Sequence, residues 1–295
     1  MEPASAQRGF PRVESPSLLV DGTPRLLSEL DSYRPLKLSP ASGLAQAFDE
    51  ACRVYYDRPC LGWRHPNGEF AFVSYARFHS DSRRLAQAFQ RTLREGEKTW
   101  REGENVGICG HNCYEWFLCD FACLWAGLCT VPLSDQWDAS VMQHVLSHAH
   151  VGAVCTTPAH EDSIRAAALA IGSVSHIVTM SLEISAGAQA EPSSVPFTCV
   201  SLTALLQSEE RAAALPACPL RSPDAPHTIL HSSGTTGMPK GIVYSDRLWL
   251  SNMVTYEGTL QIGFSYMPLA YITDRCVYFL NSSVYSSCTV HTLGH

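Results

Sequence analysis

Apolar side chains recur along this chain in two rhythms, and the changes between them mark out its elements. Leu44, Ala47, Phe48, Ala51 and Tyr55 fall at helical spacing and predict a helix. Cys60 to Trp63 and Glu69 to Val73 are short runs that predict strands. His65-Pro66-Asn67-Gly68 lies between them, and its Asn-Gly is a strong hairpin signal. Ser74 stands where a cap belongs, ahead of a helical face made by Phe78, Leu85, Phe89 and Leu93. Strands and helices then alternate. A strand at 105–109 leads to a helix capped by Asn112, with Glu115 placed to complete a capping box. A strand at 129–133 leads to a helix from Asp138 to Ala149, a strand at 151–156 to a helix near 161–171, and a strand at 175–180 follows. Loops rich in Pro, Ala and Ser at 184–196 and 215–226 flank a short helix. Alternation with short connections predicts an α/β fold, a mainly parallel sheet with helices on both faces.

Residues 1–40 have scattered prolines and little periodicity, so they read as an extended or partly disordered arm. No shift of composition divides 41–295, although a charged stretch at 94–104, with Arg-Glu-Gly-Glu written twice, reads as a surface linker. With 295 residues and 45% hydrophobic side chains, the chain can bury a sizeable core. The longest apolar stretch, Trp116 to Leu133, is interrupted by Asp120 and ended by Pro132, so a buried helix and strand are expected rather than a transmembrane segment. Met1 to Pro16 lacks the apolar core of a secretory signal. A cytoplasmic location is therefore expected, at most peripheral at an organelle membrane, with the sequon Asn281-Ser282-Ser283 silent. The twelve cysteines include no CxxC pair. The closest grouping is Cys109, Cys113, Cys119 and Cys123 with His111, for which buried reduced thiols are expected and zinc is the alternative. A net charge of −7 without a basic run argues against a nucleic-acid partner.

The candidate chemistry lies in Ser232-Ser233-Gly234-Thr235-Thr236-Gly237-Met238-Pro239-Lys240-Gly241. Glycines let backbone N–H groups converge on an anion, hydroxyls add donors, and a lysine supplies a point charge suited to phosphate. Apolar runs on either side, Thr228-Ile229-Leu230 and Ile242-Val243-Tyr244, place it between two strands. A P-loop would need Gly before Lys240 and Ser or Thr after it, whereas Pro239 and Gly241 stand there. No G-x-G-x-x-G supports a dinucleotide fold. A plain glycine-rich turn rarely combines so many hydroxyls with a lysine.

These ten residues closely resemble the phosphate-binding motif of the acyl-adenylate-forming (AMP-binding) enzymes, [ST]-S-G-[ST]-T-G-x-P-K-G. Further segments resemble the same family in its expected order: Val73-Ser74-Tyr75, Asn105-Val106-Gly107-Ile108, Leu124 to Leu133, and Ser265 to Arg275. The last is similar to the "Y-L-P-L-A-H-x-x-[ED]-R" element of long-chain fatty-acyl-CoA synthetases, and Asp135-Gln136-Trp137-Asp138 to that branch's "Y-D-T-L". The resemblance implies a two-step ligase that uses ATP, Mg²⁺, a fatty acid and CoA. It implies that Ser232, Ser233, Gly234, Thr235, Thr236, Gly237 and Lys240 bind the phosphates, with Thr236 and Lys240 catalytic. Tyr271 takes the place of a family His and either lines the substrate pocket or is a core tyrosine, while Asp274-Arg275 reads as an ion pair. Asp246 departs from the "S-H" of many relatives, which bears on local packing.

The family's later elements do not occur in this sequence: the "Y-G-x-T-E" whose Glu holds magnesium, the "T-G-D" whose Asp binds ribose, and the lid with its catalytic Lys. The expectation is an incomplete N-terminal domain of an adenylate-forming enzyme, without its C-terminal lid domain. Two functions remain open. The chain is part of an active long-chain fatty acid–CoA ligase, or it is a non-catalytic truncated relative that at most binds nucleotide phosphates.

Overall fold

The computed structural model describes residues 19–20, 23–24, 43–64, 70–94, 105–182, 195–209, 222–232, 237–254, 263–265, 269–270 and 289–291. The first pairing is antiparallel, β1 (Leu19–Val20) with β2 (Thr23–Pro24). Helix α1 (Leu44–Val54) follows, then β3 (Pro59–Arg64) and β4 (Phe70–Ser74), paired antiparallel as the sequence predicts. The predicted Asn67-Gly68 turn lies outside the described residues. In α2 (Tyr75–Arg94) the backbone N–H of Arg77 donates to Ser74 Oγ at 3.2 Å, the predicted cap.

The alternating region follows its prediction closely: β5 (Asn105–Cys109), α3 (Tyr114–Ala126), β6 (Cys129–Leu133), α4 (Ala139–His148), β7 (Val151–Thr156), α5 (Glu161–Ile171) and β8 (His176–Thr179). One expectation is corrected. The cap position of α3 falls on Cys113, which makes no side-chain cap hydrogen bond, and Asn112 Oδ1 accepts the backbone N–H of Leu269 at 3.0 Å. The tertiary contact outweighs the local capping signal.

Next come β9 (Thr198–Ser201), α6 (Leu202–Glu209), β10 (Pro226–Ser232), β11 (Lys240–Ser245), α7 (Asp246–Val254), β12 (Gly263–Ser265) and β13 (Thr289–His291). Seven strands form the main sheet in the order β11-β10-β6-β5-β7-β8-β9. Every neighbouring pair is parallel except β10 with β11. A second sheet has the order β12-β13-β3-β4.

Side-chain alternation along the strands separates two cores. On one face Val106, Ile108, Ala153, Cys155 and Val178 pack with buried residues of α1, α2, α3 and α6. On the other, Cys109, Val131, Leu133, Val151, Val154 and Ile177 pack with α4 and α5. Helices therefore cover both faces, as the alternation requires. Helix α3 is buried from Trp116 through Ala126, which explains its all-round apolar character without a membrane. No described helix is long and apolar enough to cross a membrane. The nine described cysteines are free thiols, and the described residues contain no group of three His, Cys, Asp or Glu suited to a metal.

Candidate phosphate-binding site

Because β10 runs parallel to β6, its end at Ser232 lies on the same rim as the carboxyl ends of β5, β6 and β7. Open α/β sheets hold their ligands in crevices along that rim. The chain leaves β10 at Ser232 and returns antiparallel in β11, with Ser232 paired to Lys240 and His231 to Gly241. The first and ninth residues of the motif are thus cross-strand neighbours at the mouth of a hairpin. Ser232, Gly237, Met238 and Lys240 are exposed and Pro239 is buried. Ser233, Gly234, Thr235 and Thr236 lie outside the described residues, as do Tyr271, Asp274 and Arg275.

The two described inner glycines of the motif differ in what requires them. A Cβ on Gly241 would stand 2.9 Å from Ile229 Cγ2 and 3.3 Å from His231 Nε2, so the hairpin's own packing excludes a side chain. A Cβ on Gly237 would meet no described residue within 4 Å. No described side chain demands glycine there.

The base of the hairpin runs beside β6, registered at Thr228. Thr228 is the β10 partner of Thr130, and the two side chains lock together: Thr130 Oγ1 donates to Thr228 Oγ1 at 3.1 Å, and Thr228 Oγ1 to the Thr130 carbonyl at 3.0 Å. Beyond that pair the two strands stay side by side, and Pro132 brings no N–H to the ladder.

At the far end of β10, the ring of Trp137 meets the His231 ring edge-on, with centroids 5.9 Å apart and planes at 83°. Burial, then the nearby His148 and His144, lower the His231 imidazole to about 4. Both its ring nitrogens are buried, without a hydrogen-bond partner among the described residues. Sequence reading missed this pair, although His231 directly precedes the motif and Trp137 lies in the Asp135–Asp138 passage. Asp138 of that passage caps α4, accepting the N–H groups of Val141 and Ser140 at 2.9 Å each, and these bonds lower its carboxyl below the usual range.

Behind the hairpin, Asp246 opens α7 fully buried. Its Oδ2 accepts the backbone N–H of Leu44, the first residue of α1, at 3.1 Å, and its Oδ1 lies 3.9 Å from His227 Nδ1. The departure from "S-H" noted in the sequence is therefore a packing feature. One carboxylate sits at the N-terminal ends of two helices, where negative charge is favoured.

A doubly covered α/β sheet with a glycine- and hydroxyl-rich hairpin on its carboxyl rim is the architecture of an adenylation domain. The chain belongs to the AMP-binding enzyme family, whose model matches residues 48–295. Among curated relatives it is 27% identical over 256 residues to long chain acyl-CoA synthetase 2 of Arabidopsis thaliana, covering 80% of this chain and 37% of that protein. It is 26% identical over 258 residues to long-chain-fatty-acid–CoA ligase 5 of Rattus norvegicus, covering 81% and 36%. The chain thus spans little more than a third of the length of these relatives. Among solved structures, the fold is similar to the A domain of carboxylic acid reductase from Segniliparus rugosus, determined with AMP and a co-purified carboxylic acid. The TM-score is 0.70 at 20% identity, over 86% of this chain and 45% of that one.

Proposed function

We propose that the Ser232–Gly241 hairpin grips the polyphosphate of ATP, as the nucleotide-holding part of a long-chain fatty acid–CoA ligase. The observation that carries this reading is the register that sets Ser232 opposite Lys240 at the mouth of the hairpin, with Gly237 between them in sequence. In the reaction, a fatty carboxylate attacks the α-phosphate of ATP, forming acyl-adenylate and releasing pyrophosphate. The CoA thiol then attacks the acyl carbon and AMP leaves. Charge gathers on the pyrophosphate during the first step, so the useful groups are fixed donors and a cation. Lys240 supplies the cation. Ser232, Ser233, Thr235 and Thr236 supply hydroxyl and backbone donors, Thr236 acting with Lys240 in catalysis. Gly234 and Gly237 admit the phosphates to the backbone, and Tyr271 lines the acyl side. The described residues offer no ligand set for magnesium, so the ion is expected to arrive with the nucleotide.

The residues 41–295 are proposed to form one partial AMP-binding domain, working in the cytoplasm or at the surface of an organelle membrane, where its lipid substrate is met. The family's magnesium Glu, ribose Asp and lid Lys do not occur in these 295 residues, so the chain alone is expected to bind ATP without turning it over. Titration with ATP and with pyrophosphate tests the grip. Binding that weakens about tenfold or more in Lys240→Ala, at unchanged thermal midpoint, supports it, since charge-assisted hydrogen bonds contribute about 1.5–3 kcal/mol. Equal binding by parent and variant overturns it. Robust fatty-acid-dependent ATP–pyrophosphate exchange would overturn the reading that this chain is a grip only.

A further inference from the structure

The β6–β10 ladder consists of the pair Thr130–Thr228, four residues before the hairpin mouth at Ser232. Strand β10 stays beside β6 past that pair, so what holds its end there is packing as well as ladder hydrogen bonds. On the β6 side the group that reaches it is Trp137, placed by the turn that follows β6 and packed on the core beneath α4 and α5. On the β11 side the His231 ring lies across Gly241, in the space a side chain would otherwise fill. The ring is therefore wedged between the two strands that flank β10. Its nitrogens make no hydrogen bonds among the described residues, so it contributes shape rather than proton chemistry. His144 and His148 of α4, stacked with centroids 5.4 Å apart, flank it.

We propose that His231 is the positioning residue of the phosphate hairpin, an uncharged aromatic wedge between Trp137 and Gly241 that holds Ser232 opposite Lys240. The proposal rests on the phosphate-grip reading for its purpose, while its geometry stands apart from that reading. It assigns a role to a residue outside the ten-residue motif, and it adds a reason for the glycine that ends the motif: a side chain at 241 would press on Ile229 and crowd the ring.

Two measurements on the full chain test it. The first is amide hydrogen exchange without ligand. His231→Ala is expected to speed exchange at Ser232, Lys240 and Gly241 by about tenfold, with the amides of α2 and α3 unchanged, because local opening is read amide by amide. His231→Phe, which keeps a ring and no charge, should stay within about twofold of the parent. The second is ATP affinity, expected to fall about tenfold in His231→Ala and to be restored in His231→Phe. Trp137→Leu removes the brace and should reproduce the alanine phenotype, so it decides the matter if His231→Ala does not fold. Unchanged exchange in the folded alanine variant, or a phenylalanine variant as loose as alanine, overturns the proposal. If the parent binds no ATP, the phosphate-grip reading fails while the exchange measurement still decides the wedge.

Discussion

Oδ2 of Asp246 accepts the backbone N–H of Leu44 at 3.1 Å, joining residues 202 apart in sequence. The bond ties α7, which directly follows the hairpin, to the start of α1, and it is fully buried. Removing the carboxylate strands a buried donor and takes negative charge from two helix N-terminal ends. Asp246→Ala is therefore expected to lower stability by about 2–3 kcal/mol, with Asp246→Asn, which keeps an acceptor, losing less. Urea denaturation midpoints at a common m-value check the order of the two variants.

The two glycines of the hairpin should respond in opposite ways to one added methyl group. Gly241→Ala presses on Ile229 and His231, and should cost about 1–3 kcal/mol of stability through overpacking. Gly237→Ala meets no atom of the described residues, so its thermal midpoint should stay near the parent's while ATP affinity falls. Paired melting and titration curves separate the two. A Gly237→Ala variant that melts early but binds normally would reverse the assignment.

Acid should loosen the chain partly through His231. Burial keeps its imidazole neutral down to about 4 in the folded chain, whereas the unfolded chain takes up that proton near pH ~6.5. Between these values the unfolded state binds more protons. Stability from this site is thus intact above about pH 6.5 and drains away as pH falls toward 4. His231→Phe lacks the titrating group, so the stability gap between variant and parent should shift in the variant's favour as pH drops across that window. Chemical denaturation at a series of pH values measures it, and a gap that does not change with pH refutes it.

Thiol chemistry gives a further check on the cores. Eight of the nine described cysteines are buried and Cys199 is half-buried, with Arg165 donating to its sulfur at 2.9 Å. Burial, with Asp135 nearby, pushes the Cys109 thiol up to about 12, and burial likewise raises Cys113 and Cys119. The thiolate is the reactive form, so these sites should resist alkylation in the folded chain. Peptide mapping after brief iodoacetamide treatment should find Cys199 labelled well ahead of the other eight, and denaturant should equalise them.

Much of the fold was legible because α/β alternation writes itself in apolar periodicity. Strands β5, β6 and β7 have the bounds that their apolar runs predicted, since every residue of each is buried, the polar Asn105 and Thr156 at their ends included. Strand β9 was missed, because Thr198-Cys199-Val200-Ser201 is four residues long at the sheet edge, with too little burial to leave a pattern. The second sheet was invisible beyond β3 and β4, since β12 and β13 contribute three residues each from distant parts of the chain. At the site, the motif residues could be named from their chemistry alone. His231, Trp137 and the Thr130–Thr228 lock could not, because their roles arise where separate strands come side by side, and no local rule connects residues 98 apart.

Strand β11 closes one side of the main sheet among the described residues, and it is bare. Ile242 and Val243, successive residues of the strand and so on opposite faces, are 46% and 55% exposed, and Met238 and Leu248 are exposed as well. An edge strand carrying exposed apolar side chains is a template for pairing with another extended chain. Handled alone in concentrated solution, the protein should therefore be limited by its colloidal behaviour before its folding, with turbidity rising steeply with concentration. One lysine in place of Val243 should relieve much of that, without reaching either core.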